Sequence, residues 1–69
     1  MPYDYSKLSG RIVEKYGTQA NFASAMELSE RTVSLKLNKK IGWKQVEISK
    51  ACELLGISME QIPEYFFAI

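Results

Sequence analysis

The sequence predicts an all-α fold, a compact bundle of five short helices. Three observations carry this. Apolar residues recur at helical spacing along most of the chain, and the alternation of a half-buried strand is absent. Gly, Asn or Pro closes the apolar stripes, and a new capping residue follows closely, so the connections are short. With 69 residues, 46% of them hydrophobic, the chain has material for one compact core and one domain, residues 1–69.

Ser6 is the expected cap of a first helix, on which Leu8, Ile12 and Tyr16 share a face before Gly17 stops it. Thr18 caps a second helix from Gln19 to about Met26, with Phe22, Ala23 and Met26 as its buried stripe. Ser29 caps a third, from Glu30 to about Leu37, with Val33 and Leu37 facing inward. Asn38-Lys39-Lys40-Ile41-Gly42 is a polar turn. A fourth helix runs from about Lys44 to Leu55, with Ile48, Ala51, Cys52 and Leu55 on its apolar face and Gly56 as its left-handed stop. Ser58-Met59-Glu60-Gln61 reads as a capping box for a last short turn, which Pro63 ends or bends. Trp43 is expected to pack over the start of the fourth helix.

Composition excludes several classes. A single cysteine, Cys52, allows no internal disulfide, and without histidine no structural zinc site is expected. Cys52, on an apolar face, reads as a small buried hydrophobe. No apolar run approaches the ~20 residues of a membrane span, and Met1-Pro2-Tyr3-Asp4 lacks a secretory start. The expected location is a reducing cytoplasm. No metal constellation, phosphate-cradling loop or sizeable pocket is evident, so neither an enzyme, a cofactor nor a small-molecule ligand is expected.

Net charge is only +1, but its distribution is uneven. From Glu30 to Lys50 six basic residues (Arg31, Lys36, Lys39, Lys40, Lys44, Lys50) face two acidic ones, Glu30 and Glu47, and the rest of the chain has three basic against six acidic. Such a stripe suits a phosphate backbone, although a solvated lysine-rich surface has the same composition.

The informative stretch is 19–38. Two helices of about eight residues meet across a turn of about three, which makes them cross steeply. Ala23 lies where the backbones approach, and Phe22, Met26, Leu28, Val33 and Leu37 form the apolar plug. The third helix then presents Glu30, Arg31, Ser34, Leu35 and Asn38, the inventory of a base reader. Arg31 suits guanine O6 and N7, or else a surface ion pair with Glu27 or Glu30. Glu30 suits cytosine N4, or else simply an acid at a helix N-terminus. Leu35 suits a thymine methyl, and Ser34 a base or a phosphate.

Gln19-Ala20-Asn21-Phe22-Ala23, Leu28-Ser29-Glu30-Arg31-Thr32-Val33-Ser34 and Leu37-Asn38 resemble the phage Cro and repressor type of helix-turn-helix. The stretch Glu47–Leu55 and the ending Ile62-Pro63-Glu64-Tyr65-Phe66-Phe67 are similar to short repressors of phages of Gram-positive bacteria. The resemblance implies a lambda repressor-like DNA-binding domain with its motif at 19–38, acting as a sequence-specific, Cro-like transcriptional regulator on a double-stranded DNA operator. It implies base reading by Glu30, Arg31, Ser34 and Leu35. Phosphate contacts fall to Thr18, Gln19, Ser29, Asn38, Lys39, Lys40 and Lys44, the first of these at a helix N-terminus. The turn departs from the family where glycine is usual and this chain has Glu27, since glycine adopts positive φ at little cost.

Two points stay open at this level. Tyr65, Phe66, Phe67 and Ile69 either close the core as a lid or meet a second copy, since one short helix reads few base pairs and two half-sites sit about 34 Å apart. The chain also reads as complete, without the C-terminal domain by which many phage repressors dimerise. The alternative function is therefore a protein-interaction module, such as an antitoxin or a modulator that binds another regulator.

Overall fold

The computed structural model describes residues 4–67. In order, these form α1 Ser6–Tyr16, α2 Gln19–Met26, α3 Glu30–Leu37, α4 Gln45–Leu55, a 3-10 turn Met59–Gln61 and α5 Ile62–Phe66. No strand occurs among the described residues, and none of their helices is long and apolar enough to cross a membrane.

The α1 start differs from expectation. Ser6 is the first helical residue and Tyr5 takes the cap position. The Asp4 carboxylate accepts from the Ser6 N–H at 2.8 Å and from its hydroxyl at 2.5 Å. A charged acceptor one residue further out serves the free N–H groups and suits the positive end of the helix. At the other end, Asn21 Nδ2 donates to the Tyr16 carbonyl at 2.9 Å and joins α1 to α2.

The α2 and α3 caps are as the sequence predicts. Thr18 Oγ1 accepts from the Asn21 N–H and Ser29 Oγ from the Thr32 N–H, each at 3.1 Å. Between them Glu27 adopts the left-handed conformation, φ 62°. Its N–H bonds to the Ser24 carbonyl at 3.1 Å, and the Leu28 N–H reaches back to the Ala23 carbonyl at 2.9 Å. That is a Schellman turn, built without its usual glycine. The same turn ends α3 at Lys39, φ 64°, where the Lys40 N–H bonds to the Leu35 carbonyl at 2.9 Å.

α4 begins at Gln45, with Lys44 as its cap residue, and the Glu47 carboxylate accepts from the Lys44 N–H at 2.8 Å. Its last carbonyls would lack partners within the helix. α1 supplies them: Arg11 Nε donates to the Leu55 carbonyl at 3.0 Å, and the Tyr16 hydroxyl lies 3.5 Å from that of Leu54. The core joins Leu8 and Ile12 of α1, Phe22 and Ala23 of α2, Val33 of α3, Ala51 and Leu55 of α4 and Phe66 of α5.

One expectation for the tail is corrected. Pro63 does not end a helix but sits in the first turn of α5, where its missing N–H has no intrahelical partner to lose. Of the two fates left open for the aromatic tail, Tyr65 and Phe66 take that of a lid: both are buried, Phe66 to 1% exposure. Phe66 meets Trp43 edge-on at 5.2 Å, and Trp43 meets Tyr5 at 6.4 Å. These aromatic residues close the small core. Phe67 is 45% exposed, and Ile69 lies outside the described residues.

Candidate functional site

The outward face of α3 follows from its buried stripe. Val33, Lys36 and Leu37 point inward, which leaves Glu30, Arg31, Ser34, Leu35 and Asn38 on the other side. Glu30, Arg31 and Asn38 are exposed, and Ser34 and Leu35 are half-buried. The four residues expected to read bases thus share one helix face. Arg31 makes no ion pair among the described residues, and Glu27, one of its two expected partners, is paired with Lys50 instead.

The basic stripe divides in two. Lys36 is buried to 3% exposure, and its ammonium lies 2.7 Å from the Glu47 carboxylate and donates to the Gly42 carbonyl at 2.9 Å. It also lies 5.8 Å from the centre of the Trp43 ring. Burial pushes the Glu47 carboxyl up, but hydrogen bonds from the Lys36 ammonium and the Lys44 N–H, with both positive charges, hold it below the ordinary value. Lys36 therefore ties the end of α3 to the start of α4 and offers nothing to a phosphate. Lys50 is paired with Glu27 at 2.6 Å, which bridges α4 to the turn before α3. Arg31, Lys39, Lys40 and Lys44 remain exposed.

The expected phosphate ligands are similarly divided. Gln19 is half-buried at the start of α2, beside the capping Thr18. The Ser29 hydroxyl, besides capping α3, lies 2.8 Å from that of Thr32. Asn38 Nδ2 turns back onto its own helix, donating to the Ser34 carbonyl at 2.9 Å and hydroxyl at 3.2 Å. Its amide hydrogens, the part a phosphate would need, are engaged at the end of α3.

The sequence reading missed a second surface. A cleft of about 590 Å³ lies between α4 and the 3-10 turn, walled by Trp43, Ile48, Cys52, Ile57 and Ile62, with Gln45, Ser49, Met59 and Phe67 also lining it. Burial in this wall raises the Cys52 thiol. Trp43 Nε1 is buried with no hydrogen-bond acceptor among the described residues. The available signal lay in side chains that miss the apolar stripe: Val46 and Met59 are large, apolar and 77% and 85% exposed.

Over residues 1–69 the sequence matches the family described as "Protein of unknown function (DUF739)". The chain belongs to this family. Among solved structures it is similar to the solution structure of the modulator of repression (MOR) of the temperate bacteriophage TP901-1 from Lactococcus lactis. The identity is 63%, the match covers 97% of this chain and 90% of that one, and the TM-score is 0.84. No curated protein matches in a sequence search. The expected likeness to phage regulators is met at that level; the regulator matched is a modulator of repression and not a Cro protein or a repressor.

Proposed function

We propose that this DUF739 chain is a modulator of repression that binds a repressor-type regulator inside the bacterial host, taking no cofactor and catalysing no reaction. The observation that carries the reading is the likeness to MOR across nearly the whole of both chains at 63% identity. Charge supports it. Holding DNA requires several free cations, because each neutralised phosphate adds to affinity. Here Lys36 is buried and paired, Lys50 is paired, and the Asn38 amide is turned back onto its own helix. The net charge of +1 leaves little long-range attraction for a polyanion.

Operator reading by a helix-turn-helix formed of α2 and α3 is the second reading. The exposed Arg31, in the first turn of α3 beside Glu30 and Ser34, favours it.

A labelled operator, the repressor from the same phage and this chain separate the two by fluorescence anisotropy. The proposal expects no binding of the chain alone to the operator at physiological salt. It expects the repressor's apparent affinity for the operator to change when the chain is added. Direct, salt-sensitive binding of the chain to the operator, with the repressor unaffected, overturns the proposal.

A further inference from the structure

The apolar cleft has features that the fold does not require. Lys44, between the lining residues Trp43 and Gln45, stands at the end of the cleft where α4 starts. Glu53, one turn past Ser49, and Glu60, beside Met59, stand towards the other end. Both carboxylates are exposed and make no ion pair among the described residues. The most exposed large apolar side chain among the described residues, Met59, lines this cleft, and the next most exposed, Val46, directly follows the lining residue Gln45 in sequence. A small domain gains nothing by leaving such side chains in water, whereas an apolar centre with a charged rim is the make-up of a protein-binding surface. Methionine at the rim suits a groove that adapts to an incoming chain.

We propose that this cleft is the docking groove for an amphipathic helix of the repressor. Its apolar stripe lies on Ile48, Ile57 and Ile62, and its basic flank meets Glu53 and Glu60. The inference rests on the reading of the chain as a modulator of repression. Charge complementarity selects the occupant. A DNA-binding regulator carries clustered lysine and arginine, and the acidic end of the groove accepts them. Lys44 at the other end repels such a flank, so the groove has a direction. A helix laid in an apolar groove is a recurring mode of recognition.

Calorimetric titration of the chain and its variants with the purified repressor, together with amide chemical shifts of the labelled chain, tests this. Met59→Lys should weaken binding by about tenfold or more, because it sets a charge against the apolar stripe and a cation beside the basic flank, and Met59→Leu should restore it. Glu53→Lys with Glu60→Lys should weaken binding and reduce its salt dependence. Shifts should gather at Gln45, Ser49, Met59 and the Trp43 indole N–H. If the wild type binds the repressor and these variants bind equally well, with shifts confined to α3, the groove is not the site and the modulator reading survives. If the wild type does not bind the repressor, both fail. If sedimentation shows a wild-type dimer that Met59→Lys separates, the occupant is a second copy and the inference is overturned.

Discussion

Lys36 and Lys40 lie four residues apart, yet one is inside the protein and the other in water. The difference runs through the whole basic stretch. Lys36 and Lys50 are consumed by the fold, each on a glutamate from another element. Arg31, Lys39 and Lys40 hold nothing together. A charge count along the sequence treats all of them alike. The structure separates the charges that hold the fold together, Lys36 and Lys50, from those that a partner can meet, Arg31, Lys39, Lys40 and Lys44.

The largest expected effect is at Lys36. Removing one member of a buried pair strands the other, at a cost of about 3 kcal/mol or more. Lys36→Ala should lower unfolding free energy by that amount in urea denaturation, and Lys36→Met with Glu47→Gln should recover most of it. Equal stability of Lys36→Ala and wild type would show that the pair is solvated. Phe66→Ala should cost a similar ~3 kcal/mol, as for a truncated aromatic core residue, without changing sedimentation, because Phe66 closes the core.

Acid should act through the same pair. Because the folded protein holds the Glu47 carboxyl below its ordinary value, the contribution is complete above the unfolded value of about 4.3. It is lost as pH falls through the lower folded value. Thermal melts carried from neutral pH into acid should show this loss, and Glu47→Gln should flatten the acid limb.

A smaller effect is expected at Glu27. Its left-handed backbone disfavours any side chain with a Cβ, so Glu27→Gly should raise the melting temperature modestly. Lys50→Ala should change it less than Lys36→Ala does, because exposed pairs contribute little. A destabilised Glu27→Gly would mean that the bridge to Lys50 outweighs the backbone strain.

How far the sequence reveals this molecule depends on how local each signal is. Thr18 and Ser29 are legible as caps because the hydroxyl acts on its own first turn, and Gly56 because a left-handed stop favours glycine. Glu27 marks its turn by occupying a place where glycine is usual. Lys36 is not legible from charge. Its position three residues after Val33 hints at burial, but its partner Glu47 comes from another helix across a turn, and no local rule pairs them. Pro63 misleads because proline is compatible with both the end and the first turn of a helix. Tyr65, Phe66 and Phe67 read as one apolar tail, and only tertiary packing separates the two buried rings from the exposed one. The cleft is illegible because its walls come from α4, the 3-10 turn and α5 together, and each reads alone as ordinary core.

If the chain meets a repressor, its open cations are not there to hold DNA. The most direct test is a triple variant, Arg31→Ala, Lys39→Ala and Lys40→Ala. These three side chains are exposed and make no ion pair among the described residues, so the variant should fold. The measurement is the effect of wild type and variant on the repressor's affinity for its operator. The variant should change that affinity as the wild type does. A variant that has lost this effect, beside a wild type that binds the operator directly and with steep salt dependence, would contradict it.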